Sequence, residues 1–241
     1  MKETRFFYVP DAAQATALPQ EEAIHAVRVL RMQAGDKMFL LDGQGYFHEA
    51  EVTMVTSKHC AYAILSSVAA DKGWKGHIHL AMAPTKMMDR TEWLAEKATE
   101  VGFDELSFLS CKFSERKVIN LSRIEKIVVS AMKQSRKPYK PVVNDMAAFA
   151  HFVTTPRKGR KFIAHCYAEI PRVDLFTTLQ ELSANESCTV MIGPEGDFSL
   201  DEVRLAMENG FEPVSLGTAR LRTETAALMA VTMAQLSFRN T

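Results

Sequence analysis

The sequence predicts an α/β protein with a largely parallel sheet, preceded by a small β-rich barrel carrying one helix. Three observations point there. From residue 77 onward, short apolar runs alternate with helical patterns, the order that a parallel sheet requires. Before that point the chain reads as one helix followed by strands with a glycine turn between two of them. Between the two regions lies "AADKGWKG", a small, polar, glycine-containing linker, which divides the chain into a domain at residues 1–70 and a second at 71–241.

Each element follows from its pattern. "EEAIHAVRVLRM" spaces Ile24, Val27 and Leu30 along one face of a helix. "MFLLD" and "YFHEAEVTMV" flank the turn "GQG" as a hairpin, and "CAYAILSSV" is a further strand. In the second domain "HIHLAMA" is a strand, "RTEWLAEKATEVG" a helix closed by Gly102, and "ELSFLSC" the next strand. Ser122 and Glu125 have capping-box spacing ahead of the stripe Ile124, Ile127, Val128 and Ala131, so "SRIEKIVVSAMKQS" is a helix. "KFIAHCYA" is a strand, "VDLFTTLQELS" a helix and "CTVMIG" a strand. Ser199 and Glu202 repeat the capping-box spacing, which starts a helix near Leu200 and runs it to Asn209, with Gly210 as its left-handed cap. "PVSLG" is the last strand, and "TARLRTETAALMAVTMAQLSF" passes from a loop into a long apolar helix.

The bulk composition narrows the function classes. A chain of 241 residues that is 47% hydrophobic supplies a real core. Lys+Arg and Asp+Glu are balanced at 29 each, so a nucleic-acid surface must come from uneven distribution of charge. The N-terminus lacks a charged stretch followed by a long apolar run, and no window reaches the roughly 18 apolar residues of a membrane span, so a cytoplasmic location is expected. Cys60, Cys111, Cys166 and Cys188 are widely spaced without a CxxC pair, which predicts buried or half-buried thiols rather than zinc ligands or disulfides. His77 and His79 would share one strand face, but no third ligand is evident nearby, and no metal is expected.

The chemistry centres on "IGPEGDFSLDEV", residues 192–203, a strand end, a loop with two glycines and a helix start. A phosphate-binding loop needs Lys and Ser or Thr after its second glycine, and here Asp197 and Phe198 follow Gly196. The spacing is not that of a dinucleotide fingerprint, and no Ser or Cys sits at the turn as a nucleophile. Glu195 and Asp197 disfavour a phosphate, so the ligand is expected to be neutral or cationic. What remains is a rigid loop whose backbone approaches a flat ligand closely. The second loop, "LGTARLRTETA", also follows a strand, where ligands of open α/β sheets bind, and the pair could sandwich a nucleoside.

"MIGPEGDFSLDEV" followed by "VSLGTARLRTETAALMA" resembles the paired signature of the SPOUT methyltransferases, and within them the RsmE family. "HAVRVLRMQAGDKMFLLDGQG", "KMMDRTEWLAEKATEVG" and "KQSRKPYKP" resemble that family's N-terminal and middle motifs, so the likeness spans the chain. One departure is Asp197, where the family more often has a glycine. The resemblance implies a SPOUT-type parallel sheet with a C-terminal trefoil knot, an exception to the rule against knots, preceded by a PUA-like β-barrel. It also implies a homodimer that uses S-adenosylmethionine to methylate N3 of a uridine in 16S ribosomal RNA, within the 30S subunit. By matching positions, Ile192, Gly193, Glu195, Gly196, Leu216, Gly217, Arg220 and Leu221 would line the cofactor.

Methylation at uridine N3 requires loss of an imide proton and an unpaired or extruded base. A guanidinium stabilises the charge that spreads over the carbonyl oxygens, and a carboxylate accepts the proton or orients the base. Arg222 and Glu224 are the candidates for these roles; alternatively, Glu224 favours a helix N-terminus and Arg222 pairs with it or with the partner subunit. For RNA, Lys133, Arg136, Lys137 and Lys140 lie in a basic stretch with Tyr139 as a stacking residue, and it continues through Arg157, Lys158, Arg160 and Lys161. Arg5, Arg28, Arg31 and Arg116 are further candidates. Two readings compete: a SPOUT ribose 2′-O-methyltransferase, and a non-catalytic RNA-binding assembly factor with no affinity for S-adenosylmethionine.

Overall fold

In the computed structural model, which describes residues 5–183 and 185–239, the chain up to Lys72 together with Val129–Lys140 forms one compact unit. Strands β1 (Phe6–Tyr8), β2 (Lys37–Leu41), β3 (Tyr46–Val55) and β4 (Cys60–Ala69) lie side by side in that order. β1 runs parallel to β2 and the other pairs are antiparallel, with Leu41 opposite Phe47 beside the "GQG" turn. Helix α1 (Gln20–Ile24) continues as a π-helical turn over His25–Val29. Alternation along the strands sends Met38, Leu40, Ala50 and Val52 inward against Phe7, Ala23 and Tyr62. β1 was not expected, because three residues are too few to show a period.

The segment 129–140, which the sequence reading places in the domain at 71–241, makes its contacts with the first unit. Lys133 pairs with Glu22 at 2.5 Å, and the Tyr139 hydroxyl donates to the carbonyl of Ala70 at 3.0 Å. The Gly45 amide donates to Pro138 and the Lys140 amide to Gly43. These are long-range contacts with no local sequence signature.

The second unit, Gly73–Val128 and the chain from Pro141 on, is built on a parallel sheet. Its strands are β5 (His77–Met82), β6 (Glu105–Ser110), β7 (Val142–Ala148), β8 (Arg160–Ala164), β9 (Val173–Asp174), β10 (Ser187–Ile192) and β11 (Phe211–Ser215). They are ordered β7-β6-β5-β10-β8-β11-β9. The helices are α2 (Met88–Val101), α3 (Leu121–Gln134), α4 (Phe149–Thr154), α5 (Leu175–Gln180), α6 (Leu200–Glu208) and α7 (Thr223–Ser237). Period-two alternation splits each central strand between two core layers. Leu80, Phe108, Phe162 and Val190 pack with Leu94, Ala98, Leu179 and Ala230, whereas Ala81, Leu109, Ile163 and Met191 pack with Phe149, Phe152, Val203 and Ala206. Both faces are therefore covered, as a parallel sheet requires.

The predicted capping box holds at α6: Ser199 and Glu202 exchange both hydrogen bonds. It fails at α3. Asn120 Oδ1 accepts from the Arg123 amide at 3.2 Å and from the Ser122 hydroxyl at 2.9 Å, so the residue just before the helix caps it and Ser122 becomes a donor to that cap. β7 and α4 were not expected, their polar and apolar residues following neither period clearly.

The topology places the site. The chain lays down β5, β6 and β7 outward, crosses to β8, and later returns β10 into the slot between β5 and β8. At such a reversal the loops beyond the carboxyl ends of neighbouring strands diverge and leave a crevice.

Candidate active site

Ile192, Ala164 and Val214 stand side by side in register across β10, β8 and β11. The loops after all three strands depart from this row and enclose a cavity of about 470 Å³, lined by the row itself. That volume lies in the range of small-molecule sites, roughly 300–1,000 Å³. The structure brings Ile192, Gly193, Glu195, Leu216, Gly217, Arg220, Leu221, Arg222 and Glu224 together on this one cavity.

The loop after β10 is held by its own side chains. Asp197 adopts φ of 65°, a left-handed conformation that Asp tolerates better than most residues. Its Oδ2 accepts from the Cys166 amide at 2.8 Å and its Oδ1 from the Phe198 amide at 2.7 Å. The carboxylate thus sits in a left-handed turn and ties this loop to the one after β8. A Cβ on Gly193 would lie 3.0 Å from the Phe198 amide nitrogen, a tight contact that favours glycine there. Glu195 Oε1 accepts from the Lys86 amide at 2.8 Å, linking the loop to the segment after β5. Gly196 departs from expectation: it does not line the cavity, and a Cβ there would face the Phe113 Cβ at 3.1 Å.

In the loop after β11, Gly217 has φ of 109° with open space around it, so backbone conformation and not crowding demands glycine. Arg222 is exposed and stands just before α7 without capping it through its side chain. Glu224, in the first turn of α7, is only 7% exposed. Its Oε1 lies 3.8 Å from Arg90 Nε, and its buried Oε2 has no hydrogen-bond partner among the described residues.

Sequence reasoning missed the loop after β8 and Arg90. His165, Cys166 and Arg172 all line the cavity. His165 is 4% exposed; its Nδ1 accepts from the Tyr167 amide at 3.2 Å, and its Nε2 finds no partner among the described residues. Burial, partly offset by the Asp197 carboxylate, holds the imidazole below its ordinary range. Arg172 donates to the His165 carbonyl at 2.6 Å. "AHCYA" carried one usable signal, a strand ending in polar residues. Its neighbours in the sheet, which give that signal meaning, are far away in sequence.

The donor set suits S-adenosylmethionine. Ile192, Val214, Leu216 and Leu221 offer apolar surface to a purine, Glu195, Asp197 and Glu224 offer negative charge to a sulfonium, and two buried polar atoms remain to be satisfied.

Several expected RNA contacts are occupied within the fold. Arg116 donates to the carbonyls of Thr85 and Lys86, and Lys133 pairs with Glu22. The ring of Tyr139 lies against Gly45, where a Cβ would fall 2.6 Å away, and its hydroxyl is bound, so it is not a free stacking platform. Lys137 is half-buried, and burial lowers the pKa of its amine. Arg5 lies 3.6 Å from the Asp36 carboxylate. Arg157 packs on Phe152 and donates to its carbonyl, while Arg160 grips Glu212 with two bonds and Lys161 donates to Asn209. Arg28, Arg31 and Arg136 are exposed, the last over the Phe6 ring at 5.2 Å.

Cys60, Cys111 and Cys188 are buried, and burial pushes the Cys188 thiol up to about 12; Cys166 is exposed, against expectation. His79 hydrogen-bonds to Ser107 at 2.8 Å. Among the described residues no group of three His, Cys, Asp or Glu is placed to hold a metal ion, and no helix is long and apolar enough to cross a membrane.

Residues 72–235 match the family model of the RNA methyltransferase domain, and residues 18–64 that of the RNA methyltransferase PUA domain. The chain is 26% identical over 235 residues to the ribosomal RNA small subunit methyltransferase E of Buchnera aphidicola, an alignment covering 95% of this chain and 90% of the relative. A probable rRNA-methyltransferase from Porphyromonas gingivalis superposes with a TM-score of 0.88 at 40% identity, covering 98% of this chain and all of that one. A methyltransferase from Legionella pneumophila, solved with bound S-adenosylmethionine, superposes with a TM-score of 0.85 at 27% identity over 97% of this chain and 98% of its own.

Proposed function

The chain belongs to the RNA methyltransferase family, whose model spans residues 72–235, and we propose that it methylates N3 of a uridine in 16S ribosomal RNA. The observation that carries this reading is the single cavity on which both predicted loops converge, with Glu224 and Arg222 at the start of α7. The relative in Buchnera carries the name of a small-subunit rRNA methyltransferase, and that in Legionella was solved with the cofactor bound.

When bound, S-adenosylmethionine supplies an electrophilic methyl group on sulfur. Ile192, Gly193, Glu195, Leu216, Gly217, Arg220 and Leu221 hold it, chiefly through backbone groups and apolar contact. Glu224, kept beside the Arg90 guanidinium at 3.8 Å, accepts the N3 proton of an extruded uridine. Arg222 stabilises the negative charge spread over the two carbonyl oxygens of the base. The nitrogen lone pair forms the new bond to carbon while the carbon–sulfur bond breaks.

The reading includes a homodimer, action on the 30S subunit and a cytoplasmic location. The exposed Met229 and Leu236 on α7 support burial against a second copy. The return of β10 between β5 and β8, with α7 packed on β5 and β10, supports a threaded C-terminal knot. The PUA-like N-terminal unit serves as an RNA-holding domain, with Arg28, Arg31 and Arg136 meeting phosphates.

Arg222→Ala tests the assignment of roles. Methyl transfer should fall by about 100- to 1,000-fold while cofactor affinity, measured by titration calorimetry, stays at the wild-type value. Unchanged transfer would remove Arg222 from the chemistry, and lost cofactor binding would reassign it to the cofactor.

A further inference from the structure

We infer that Arg116 is a positioning residue for the cofactor. It clamps the peptide between Thr85 and Lys86, and through that peptide and the Glu195 carboxylate it holds the loop after β10 in the shape that receives S-adenosylmethionine. The inference rests on the methyltransferase reading and draws on the segment 111–116, which lies outside both signature loops.

Three observations carry it. First, the Thr85–Lys86 peptide is gripped from both sides. Its carbonyl accepts from Arg116 Nε at 3.3 Å, and its N–H donates to Glu195 Oε1 at 2.8 Å. Arg116 Nη2 also donates to the next carbonyl, that of Lys86, at 2.8 Å. Carbonyl and N–H point in opposite directions across a trans peptide, so guanidinium and carboxylate fix one plane between them. A cation at the carbonyl end and an anion at the N–H end polarise the peptide in the same sense, and each bond strengthens the other. Second, Arg116 stands on a segment fixed independently of the loop. The Cys111 amide donates to Ser114 Oγ at 3.0 Å and the Ser114 amide to the Cys111 carbonyl at 3.1 Å, closing a turn around the buried Ser114. Third, the same segment meets the region after β10 at two further places. The Lys112 amide donates to Glu202 Oε1 at 2.8 Å, and the Phe113 side chain lies against Gly196.

Glu195 lines the cavity, whereas Arg116 does not. Arg116 therefore acts through the wall of the site and not on the cofactor itself. Without its guanidinium the Thr85–Lys86 peptide loses the grip on its carbonyl side. What then holds the segment is local: the Thr85 amide donates to Thr91 Oγ1 at 3.0 Å and the Thr85 hydroxyl to the Met87 carbonyl at 2.6 Å. Ordering of Glu195 and its loop would fall to the ligand, and affinity would drop by that cost.

Calorimetric binding of S-adenosylhomocysteine tests the inference. Arg116→Ala should weaken binding about three- to tenfold, the cost of ordering one freed side chain, and should raise KM for S-adenosylmethionine while kcat at saturating cofactor is retained. Arg116→Lys, which keeps the charge but cannot span two carbonyls, should recover only part of the loss. In a Glu195→Ala background Arg116→Ala should have little further effect, because both residues act through one peptide. In wild-type protein the Lys86 amide should exchange with solvent more slowly once S-adenosylhomocysteine is bound, a readout that needs no variant to fold. Wild-type affinity in Arg116→Ala, whatever its urea midpoint, would make Arg116 a purely structural residue and overturn the inference while leaving the methyltransferase reading intact. Losses that multiply in the double variant, or unaltered Lys86 exchange, would also overturn it. If wild-type protein binds no S-adenosylhomocysteine, both readings fall together.

Discussion

Asp197 shows what one residue does for the site and how much of it could be read in advance. The sequence displayed the departure from glycine but not its consequence, because a φ of 65° and a bond to the Cys166 amide are properties of two loops brought together by β8 and β10. Asp197→Ala should cost about 1–3 kcal/mol, since it keeps the left-handed strain and removes the acceptor. Asp197→Gly should cost less, because glycine relieves the strain. Urea unfolding of the two variants checks the ranking, and the opposite order would mean that backbone conformation contributes little here. Glu195 carries a similar lesson: its carboxylate was legible as a cavity residue, but its bond to the Lys86 amide spans 109 positions and left no local trace. Gly193 and Gly196 look alike in sequence, and only the fold distinguishes them: Gly193 lines the cavity, whereas Gly196 lies against Phe113.

Elements with strong periods were legible. α2, α6 and α7 and the central strands of the second unit appear where their patterns place them, because each pairs a clear apolar stripe or run with a recognisable end. β9 is two residues long, and β7 mixes Asn144 and Asp145 into its run, so neither offers a readable pattern. Asn144 is nevertheless structural: it donates to Glu105 at 2.6 Å and to Ser107 at 2.9 Å, joining a network across β5, β6 and β7 that ends on His79. Burial, then the nearby Arg157 charge, then His77, lower the pKa of His79 from 6.5 to about 3. The unfolded chain therefore binds more protons between these values, so His79 stabilises fully above pH 6.5, and that stability is lost as pH falls towards 3. Going from pH 7 to pH 5 should cost about 2 kcal/mol through this residue alone. His79→Gln should flatten the fall in urea midpoint over that interval, and an unflattened fall would place the proton uptake elsewhere.

Across the whole molecule, charge was the least informative signal. A net charge of zero hides the distribution, and a run of basic residues in sequence does not say which ones are already paired. The structure pairs Arg160 and Lys133 internally and engages Arg116 and Lys161 with backbone carbonyls, leaving Arg28, Arg31 and Arg136 exposed. Arg28→Ala and Arg31→Ala should each weaken RNA binding and lower its dependence on log salt by about one unit for each phosphate that is no longer neutralised, without changing cofactor affinity. An unchanged salt slope would place the RNA on another surface. The most direct measurement is methyl transfer from radiolabelled S-adenosylmethionine to 30S subunits lacking their native modifications, with the product nucleoside identified by mass spectrometry. N3-methyluridine is the expected product. A 2′-O-methylated nucleoside, or tight RNA binding with no methylated product, would contradict the assignment.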